Sequence, residues 1–446
     1  MISRFVFLRH IVVVFFAALM CVGLGLNTAL AQDSVALRSD LNILCSKAFS
    51  GRGYINGGMK KAANYIEQRF KDDSLSAFGK DYRQLFTYPV NTFPSSMDVK
   101  IDDRTLKPGI DYLIHASSSG YNKESMKVRL INGLDFAKAV RKKDSVQMKD
   151  WQKWSKQLSK QKYTYVLQNI DTVNALLHWK GNREFVKHLP QGVFFIPYKK
   201  KPIWTVSQET MPATVIEFYD TNFVFNENKV SITVDNKFVP KYEADNLVGF
   251  VSGTERPDSF IVITAHYDHL GKMGNKTMFP GASDNASGTS MMLELAKYYA
   301  AHPSKYTMVF IAFAGEEIGL LGSKYFTEHP LMNLGKIRFL INIDIMGDAT
   351  DGISVVNGKT HESEFKVLSD LNKIGTDGFS FKDVHQGGAA ANSDHYFFTE
   401  KGVPAFFIFS MGGKGYYHDI WDKADKVTLQ NIPQVGELLK RFIATF

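Results

Sequence analysis

From Asp245 to its carboxyl terminus the chain alternates uniformly apolar runs with amphipathic ones, and nothing else in the 446 residues restricts the fold as strongly. NLVGFVSG, FIVITAH, TMVFIAFAG, RFLINIDIMG and VPAFFIFSM read as strands without a polar face. MMLELAKYYAAH, LLGSKYFTEH, ESEFKVLSDLNKIG and NIPQVGELLKRFIATF read as helices. Strands that are apolar on both sides need cover on both sides. The expected class is therefore α/β: a three-layer sandwich with a central, mostly parallel mixed sheet flanked by helices. In such sheets, ligands and catalytic groups collect beyond the carboxyl ends of the strands.

The preceding half differs in character. Residues 1–31 have Arg4 and Arg9, the apolar run IVVVFFAALMCVGLGL and a small-x-small site at Ala29-Leu30-Ala31, which together read as a secretory signal peptide. Its removal takes two arginines and no acid, lowering the formal charge from +8 to +6. Cys45 is then the remaining cysteine, so no intramolecular disulfide can form. A chain of this length is expected to be stable on its core alone. Export is the expected localisation: periplasmic, extracellular or associated with the cell envelope. No later segment is long and apolar enough to span a membrane.

LRSDLNILCSKAF and MKKAANYIEQRFKDD have helical spacing, with Ala62, Ala63, Ile66 and Phe70 on one face. The glycine-rich SGRGYINGG between them reads as turn punctuation. YRQLFTYPVNTF reads as a strand. From about Ser96, short strand patterns appear: MDVKI, DYLIHA, KVRLI, YTYVLQ, GVFFIP, ATVIEF and KVSITV. Residues 97–240 are expected to be an inserted, mainly-β domain, with 32–96 and 241–446 forming the main one. The basic run Lys138–Lys162 carries Trp151, Trp154 and Leu158 at helical spacing and reads as a solvated helix packed by its tryptophans. A nucleic-acid partner is therefore not expected.

The acids and histidines sort by the strand-end rule. His266 ends FIVITA, Glu316 and Glu317 follow MVFIAFAG, Asp344 follows RFLINI, and His418 follows VPAFFIF after a glycine-rich loop. Asp284 stands in the turn before a helix, where the dipole favours its charge. So many carboxylates beside a buried sheet need cations. Imidazole and carboxylate ligands without cysteine suit zinc, with manganese or cobalt as substitutes. His266, Asp284, Glu317, Asp344 and His418 meet the ligand count of a two-metal site. Glu316 is then left over as a general base, and Asp268 could hold the second nitrogen of His266. Ser393, Asp394 and His395 form a nucleophile array only on paper, since a two-metal hydrolase needs no serine.

AHYDHLG, GASDNASG, FAGEEIGLLGS, INIDIMG, SDHYFFTEKGVP and YYHDIWDKADKV, in this order, closely resemble the co-catalytic di-zinc aminopeptidase family, whose relatives include glutamate carboxypeptidases and glutaminyl cyclases. The resemblance covers about 35–95 and 243–446. It implies the same α/β sandwich and two zinc ions per chain. In it Asp284 bridges, His266 and Asp344 serve one zinc, Glu317 and His418 the other, and Glu316 is the base. The insertion falls where many members carry a protease-associated domain. Where members often have threonine after the last histidine, this chain has Asp419. The tyrosine that some members place before the SDH segment is missing, so Tyr416 or Tyr417 is the candidate oxyanion donor. The reading is an exported zinc exopeptidase acting on peptides, an aminopeptidase in the first place. A carboxypeptidase, using Arg338, Lys401 or Lys414 for the substrate carboxylate, is an alternative. So are a one-zinc glutaminyl cyclase and a non-catalytic binding module on the same scaffold.

Overall fold

A computed structural model describes residues 34–134, 152, 153, 155, 156, 158, 159, 163–177, 185–220 and 222–446. The expected signal segment, Trp151 and Trp154 lie outside these residues, whereas Leu158 is buried.

In chain order, helices α1 (34–44) and α2 (Gly58–Asp72) precede strand β1 (Arg83–Thr92). Then come β2 (Met97–Ile101), β3 (Arg104–Leu106), β4 (Tyr112–Ile114), β5 (Tyr121–Asn132), β6 (Tyr163–Gln168), helix α3 (Ile170–Leu177), β7 (Gly192–Pro197), β8 (Ala213–Phe218) and β9 (Lys229–Val234). The chain continues through β10 (Lys237–Val251), β11 (Arg256–His266), a small hairpin of β12 (Gly271–Met273) and β13 (Thr277–Phe279), helix α4 (Gly288–Ala301) and β14 (Tyr306–Phe313). It closes with α5 (Leu321–Glu328), β15 (Ile337–Ile343), β16 (Gly352–Val356), α6 (Glu362–Ile374), β17 (Val384–Gln386), α7 (His395–Glu400), β18 (Ala405–Met411) and α8 (Ile432–Ile443).

The central sheet has eight strands in the order β1-β10-β14-β11-β15-β18-β16-β17. Its middle is parallel: β14, β11, β15 and β18 run together, as the apolar runs require. Antiparallel pairings flank that block, at β1–β10, β10–β14 and β16–β18. The register sets His266 beside Phe313 and Thr264 beside Asn342, so the parallel strands end at one level. The loops leaving those strands therefore emerge at one edge. The sheet is covered by helices whose apolar stripes are buried: Met59, Ala62, Ala63, Ile66 and Phe70 of α2, and Val435, Leu438, Leu439 and Phe442 of α8. β10 begins earlier than NLVGFVSG implies, because its first half has polar and apolar residues mixed while pairing along β1.

The second sheet also has eight strands, in the order β3-β2-β9-β5-β6-β7-β8-β4. Its own core is built from Val99, Ile101, Val193, Phe195, Phe218, Val230 and Ile232 among others. Trp204 belongs to that core and stacks on Phe279 of the β12–β13 hairpin, with ring centroids 4.6 Å apart.

Candidate metal centre

The parallel strands deliver His266, Glu316, Glu317, Asp344 and His418 to one edge, and the turn before α4 adds Asp284. Asp284 lies between the two predicted metal-binding histidines. Its Oδ1 is 3.3 Å from His266 Nε2 and its Oδ2 is 3.2 Å from His418 Nε2. Asp344 Oδ1 stands 3.3 Å from His266 Nε2, and Glu317 Oε2 is 2.9 Å from His418 Nε2. Glu316 Oε2 is 4.0 Å from His266 Nε2. All six predicted metal and base residues are thus together.

The spacing has a simple chemical reading. Nitrogen and oxygen ligands at about 2.0–2.1 Å from a tetrahedral ion stand roughly 3.3 Å from one another. The buried Nε2 of His418 faces two carboxylate oxygens yet makes no hydrogen bond. Asp268, Asp284, Glu316, Glu317, Asp344 and Asp394 crowd this edge. Among the described residues no lysine or arginine forms an ion pair with them; all but Asp394 stand within 4.0 Å of a histidine nitrogen. Burial of that many carboxylates without a cation is untenable. The donor set fits divalent metal.

Protonation obeys the same crowding. Burial pulls the His418 imidazolium down, but Glu317 and Asp284 outweigh it and push its pKa up to about 11. His266 is likewise raised well above the usual histidine range, its burial being overcome by Asp344, Glu316, Asp268 and Asp284. Glu317 is held down at about 2 because His418 and His269 overcome its burial. Glu316 goes the other way. Burial pushes it well above the usual carboxylate range, and Glu317, Asp394 and Asp344 add to that against the opposing pull of His266.

Asp268 does something other than expected. His266 Nδ1 is 3.2 Å from the backbone carbonyl of Asp268, while the carboxylate Oδ1 stands 3.7 Å away, too far for a hydrogen bond. The carboxylate instead accepts from the backbone N–H groups of Glu316, at 3.1 Å, and Glu317, at 3.4 Å. It fixes the turn that presents both glutamates.

Several neighbours carry no signal in the sequence. His269 donates from Nδ1 to Glu317 Oε1 at 2.5 Å, leaving Oε2 to face His418. His269, Asp284 and Glu317 lie close enough to hold an ion themselves, as do His266, Glu316 and Asp344. Asp422 accepts from Ser283 N at 2.9 Å and Asp284 N at 3.1 Å. A chain of hydrogen bonds runs from Thr264 Oγ1 to Asn342, from Asn342 Nδ2 to Ser393 Oγ, and from Ser393 to Asp344 Oδ2, at 2.7, 2.8 and 3.1 Å. Ser393 thus orients a carboxylate. Its paper partner His395 packs on Phe407 and has no hydrogen bond to its ring nitrogens.

The glycine-rich loop is more than punctuation. Arg52 is fully buried and donates to the carbonyls of Tyr267 at 2.9 Å, Leu44 at 3.2 Å, Pro280 at 2.7 Å, Gly281 at 2.6 Å and Asp284 at 3.4 Å. It clamps the turn bearing Asp284. Gly53 has to be glycine here, since a Cβ would stand 2.4 Å from Gly271 Cα.

A cleft opens beside Asp284, lined by Ile345, Asp348, Gly412, Lys414, Tyr417 and Lys426 among others. The Tyr417 ring stacks on His418 with centroids 3.8 Å apart. Its hydroxyl is pushed upward by burial and by Asp284, Glu317, Glu316 and Asp344. Of the three cations considered for a substrate carboxylate, Lys414 lines this cleft. Arg338 lies at the start of β15, the end away from Asp344, and Lys401 comes just after α7.

Residues 246–443 match the family model described as Peptidase family M28. This part of the chain is similar to M28 peptidases. The aminopeptidase YwaD of Bacillus subtilis (strain 168) is 30% identical over 217 residues, covering 46% of this chain and 46% of that protein. A probable zinc metalloprotease of Pyrenophora tritici-repentis is 36% identical over 143 residues, covering 28% of this chain and 33% of that one. The chain thus spans about half the length, or less, of the curated relatives it matches. The fold extends further. A Peptidase M28 precursor from Shewanella amazonensis SB2B superposes with a TM-score of 0.61 at 14% identity, over 94% of this chain and 96% of that one. BSAP, a zinc aminopeptidase from Bacillus subtilis, gives 0.60 at 19% identity, over 92% and 93%. The α/β fold expected from the sequence is that of M28 peptidases.

Proposed function

We propose that the protein is an exported, zinc-dependent aminopeptidase with two zinc ions per chain. The observation that carries this reading is the Asp284 carboxylate, with one oxygen toward each of two imidazoles that have their own separate carboxylates. His266 and Asp344 would hold one ion, Glu317 and His418 the other, and Asp284 both. Zinc held there supplies Lewis-acid polarisation of the scissile carbonyl and an acidified water.

The chain's own groups do the rest. Glu316 accepts a proton from the attacking water as the C–O bond forms. It then gives that proton to the leaving amine as the C–N bond breaks, so the products are an amino acid and a shortened peptide. Glu316 is placed for this, with Oε2 4.0 Å from His266 Nε2 beside the proposed ligands without being one of them. Asp268 holds the Glu316–Glu317 turn through its backbone N–H groups. Tyr417, rather than Tyr416, is the oxyanion donor, because its ring lies on His418 and its hydroxyl feels the site's carboxylates. Export rests on the amino-terminal signal pattern. Among the described residues no helix is long and apolar enough to cross a membrane.

The test is a panel of aminoacyl-nitroanilides, assayed before chelation, after it, and after zinc is returned. Peptides blocked at either end accompany the panel. Cleavage should vanish with chelation, return with zinc and require a free amino terminus. Cleavage that tolerates a blocked amino terminus but requires a free carboxylate would replace the aminopeptidase reading with the carboxypeptidase one.

A further inference from the structure

The connection from β7 to β8, residues 198–212, belongs to the second sheet yet runs over the metal centre. Its contacts there are specific. The Trp204 carbonyl is 2.9 Å from Nδ1 of His418 and accepts its hydrogen bond. Gln208 Nε2 donates to the carbonyl of Ile318, the residue after Glu317, at 2.9 Å. Lys201 Nζ pairs with Asp419, the residue after His418, at 2.7 Å. The Trp204 indole stacks on Phe279, which leads into the turn carrying Asp284.

The strap is itself anchored. Trp204 Nε1 donates to the Ile114 carbonyl at 2.8 Å, and the Ser207 carbonyl accepts from Asn91 N at 2.9 Å. Its contacts fall on the loops of His418, Glu317 and Asp284. His266 and Asp344 are held instead from within the central sheet's own loops. Thr289 Oγ1 donates to the His266 carbonyl at 2.9 Å, the Asp268 carbonyl faces His266 Nδ1 at 3.2 Å, and Ser393 donates to Asp344 at 3.1 Å.

We infer that the strap is a positioning element for one of the two metal sites, the one formed by Glu317 and His418. Through the Trp204 carbonyl the second sheet fixes the His418 ring and its tautomer, with Nδ1 protonated and Nε2 free to ligate. Residues that orient a ligating histidine in this way change metal affinity by about 10–100-fold when lost. The strap's hydrogen bonds and ion pair reach the loops of His418 and Glu317 and not those of His266 and Asp344. This inference rests on the two-zinc reading above.

Zinc titration of the metal-free protein, monitored by calorimetry, separates the two. The wild-type chain should take two equivalents. In the double variant Lys201→Met/Gln208→Ala the first equivalent should bind as in the wild type and the second about 10–100-fold more weakly; Trp204→Ala, which also removes the stack on Phe279 before the Asp284 turn, should weaken the second further and the first slightly. Lys201→Arg, which keeps the pair with Asp419, should leave the second affinity as in the wild type. Circular dichroism confirms that each variant is folded, and the double variant alters partly exposed side chains, so it tests the inference even if Trp204→Ala does not fold. Unchanged affinities in the double variant, or an equal loss at both sites, would overturn the role of the strap while leaving the two-zinc reading intact. Fewer than two equivalents in the wild-type chain would overturn both.

Discussion

Replacing Arg52 by methionine keeps most of the buried volume and removes every donor. Three of its carbonyl partners, on Tyr267, Pro280 and Gly281, lie within 2.9 Å and are enclosed. A buried acceptor left without a donor costs about 1–3 kcal/mol, so the three set a lower bound of about 3 kcal/mol for Arg52→Met. The weaker contacts to Leu44 and Asp284 add to that. Melting should therefore fall by roughly 3 °C or more for a chain of this length. Arg52→Lys keeps a charge and up to three donors on one atom, and should lose an intermediate amount. Because the released carbonyls include those of Gly281 and Asp284, the bridging carboxylate moves and both zinc equivalents should weaken, unlike the strap variants. Urea unfolding and zinc titration measure the two effects. An Arg52→Met protein within about 0.5 kcal/mol of the wild type, with both zinc affinities unchanged, would refute the clamp.

The same geometry has consequences for kinetics and for proton release. Tyr417→Phe should lower kcat by an amount on the order of 10²-fold while leaving zinc content and KM near wild type, whereas Tyr416→Phe should change kcat little. Steady-state kinetics on one nitroanilide decides between them. Zinc binding must release protons, because His418 keeps its proton up to about 11 in the metal-free protein and His266 is raised as well. Glu317, held at about 2, has none to give near neutral pH. Zinc affinity should thus rise as pH rises through neutrality, by about tenfold per unit for each proton displaced. Calorimetry in buffers of different ionisation enthalpy counts those protons, and a buffer-independent heat would contradict the assignment.

The strand ends are legible because parallel strands leave a strong mark, uniformly apolar runs with chemistry only at their carboxyl ends. His266, Asp344 and the Glu316–Glu317 pair come directly after such runs. His418 comes after β18 and a glycine loop, and is reachable by the same rule. The partners that orient them are less visible, for different reasons. Arg52 sits in a glycine-rich loop whose obvious reading is a turn, and its partners are backbone carbonyls distant in sequence. Asn342 is one polar residue inside an apolar strand, and only the register reveals Thr264 opposite it. Asp268 stands at the expected place but uses its backbone carbonyl toward His266, a distinction that side-chain spacing does not encode. The Trp204 carbonyl is the extreme case, since any residue supplies a carbonyl. The short strands β12, β13, β16 and β17 escape the sequence because runs of three to five residues carry little periodicity.

Glu316→Gln, purified with zinc and assayed on the preferred aminoacyl-nitroanilide, tests the central claim most directly. The amide is isosteric and cannot take a proton. Zinc content should stay at two per chain while kcat falls by about 10²–10⁴-fold. Turnover near the wild-type rate, with both zinc ions in place, would contradict the account.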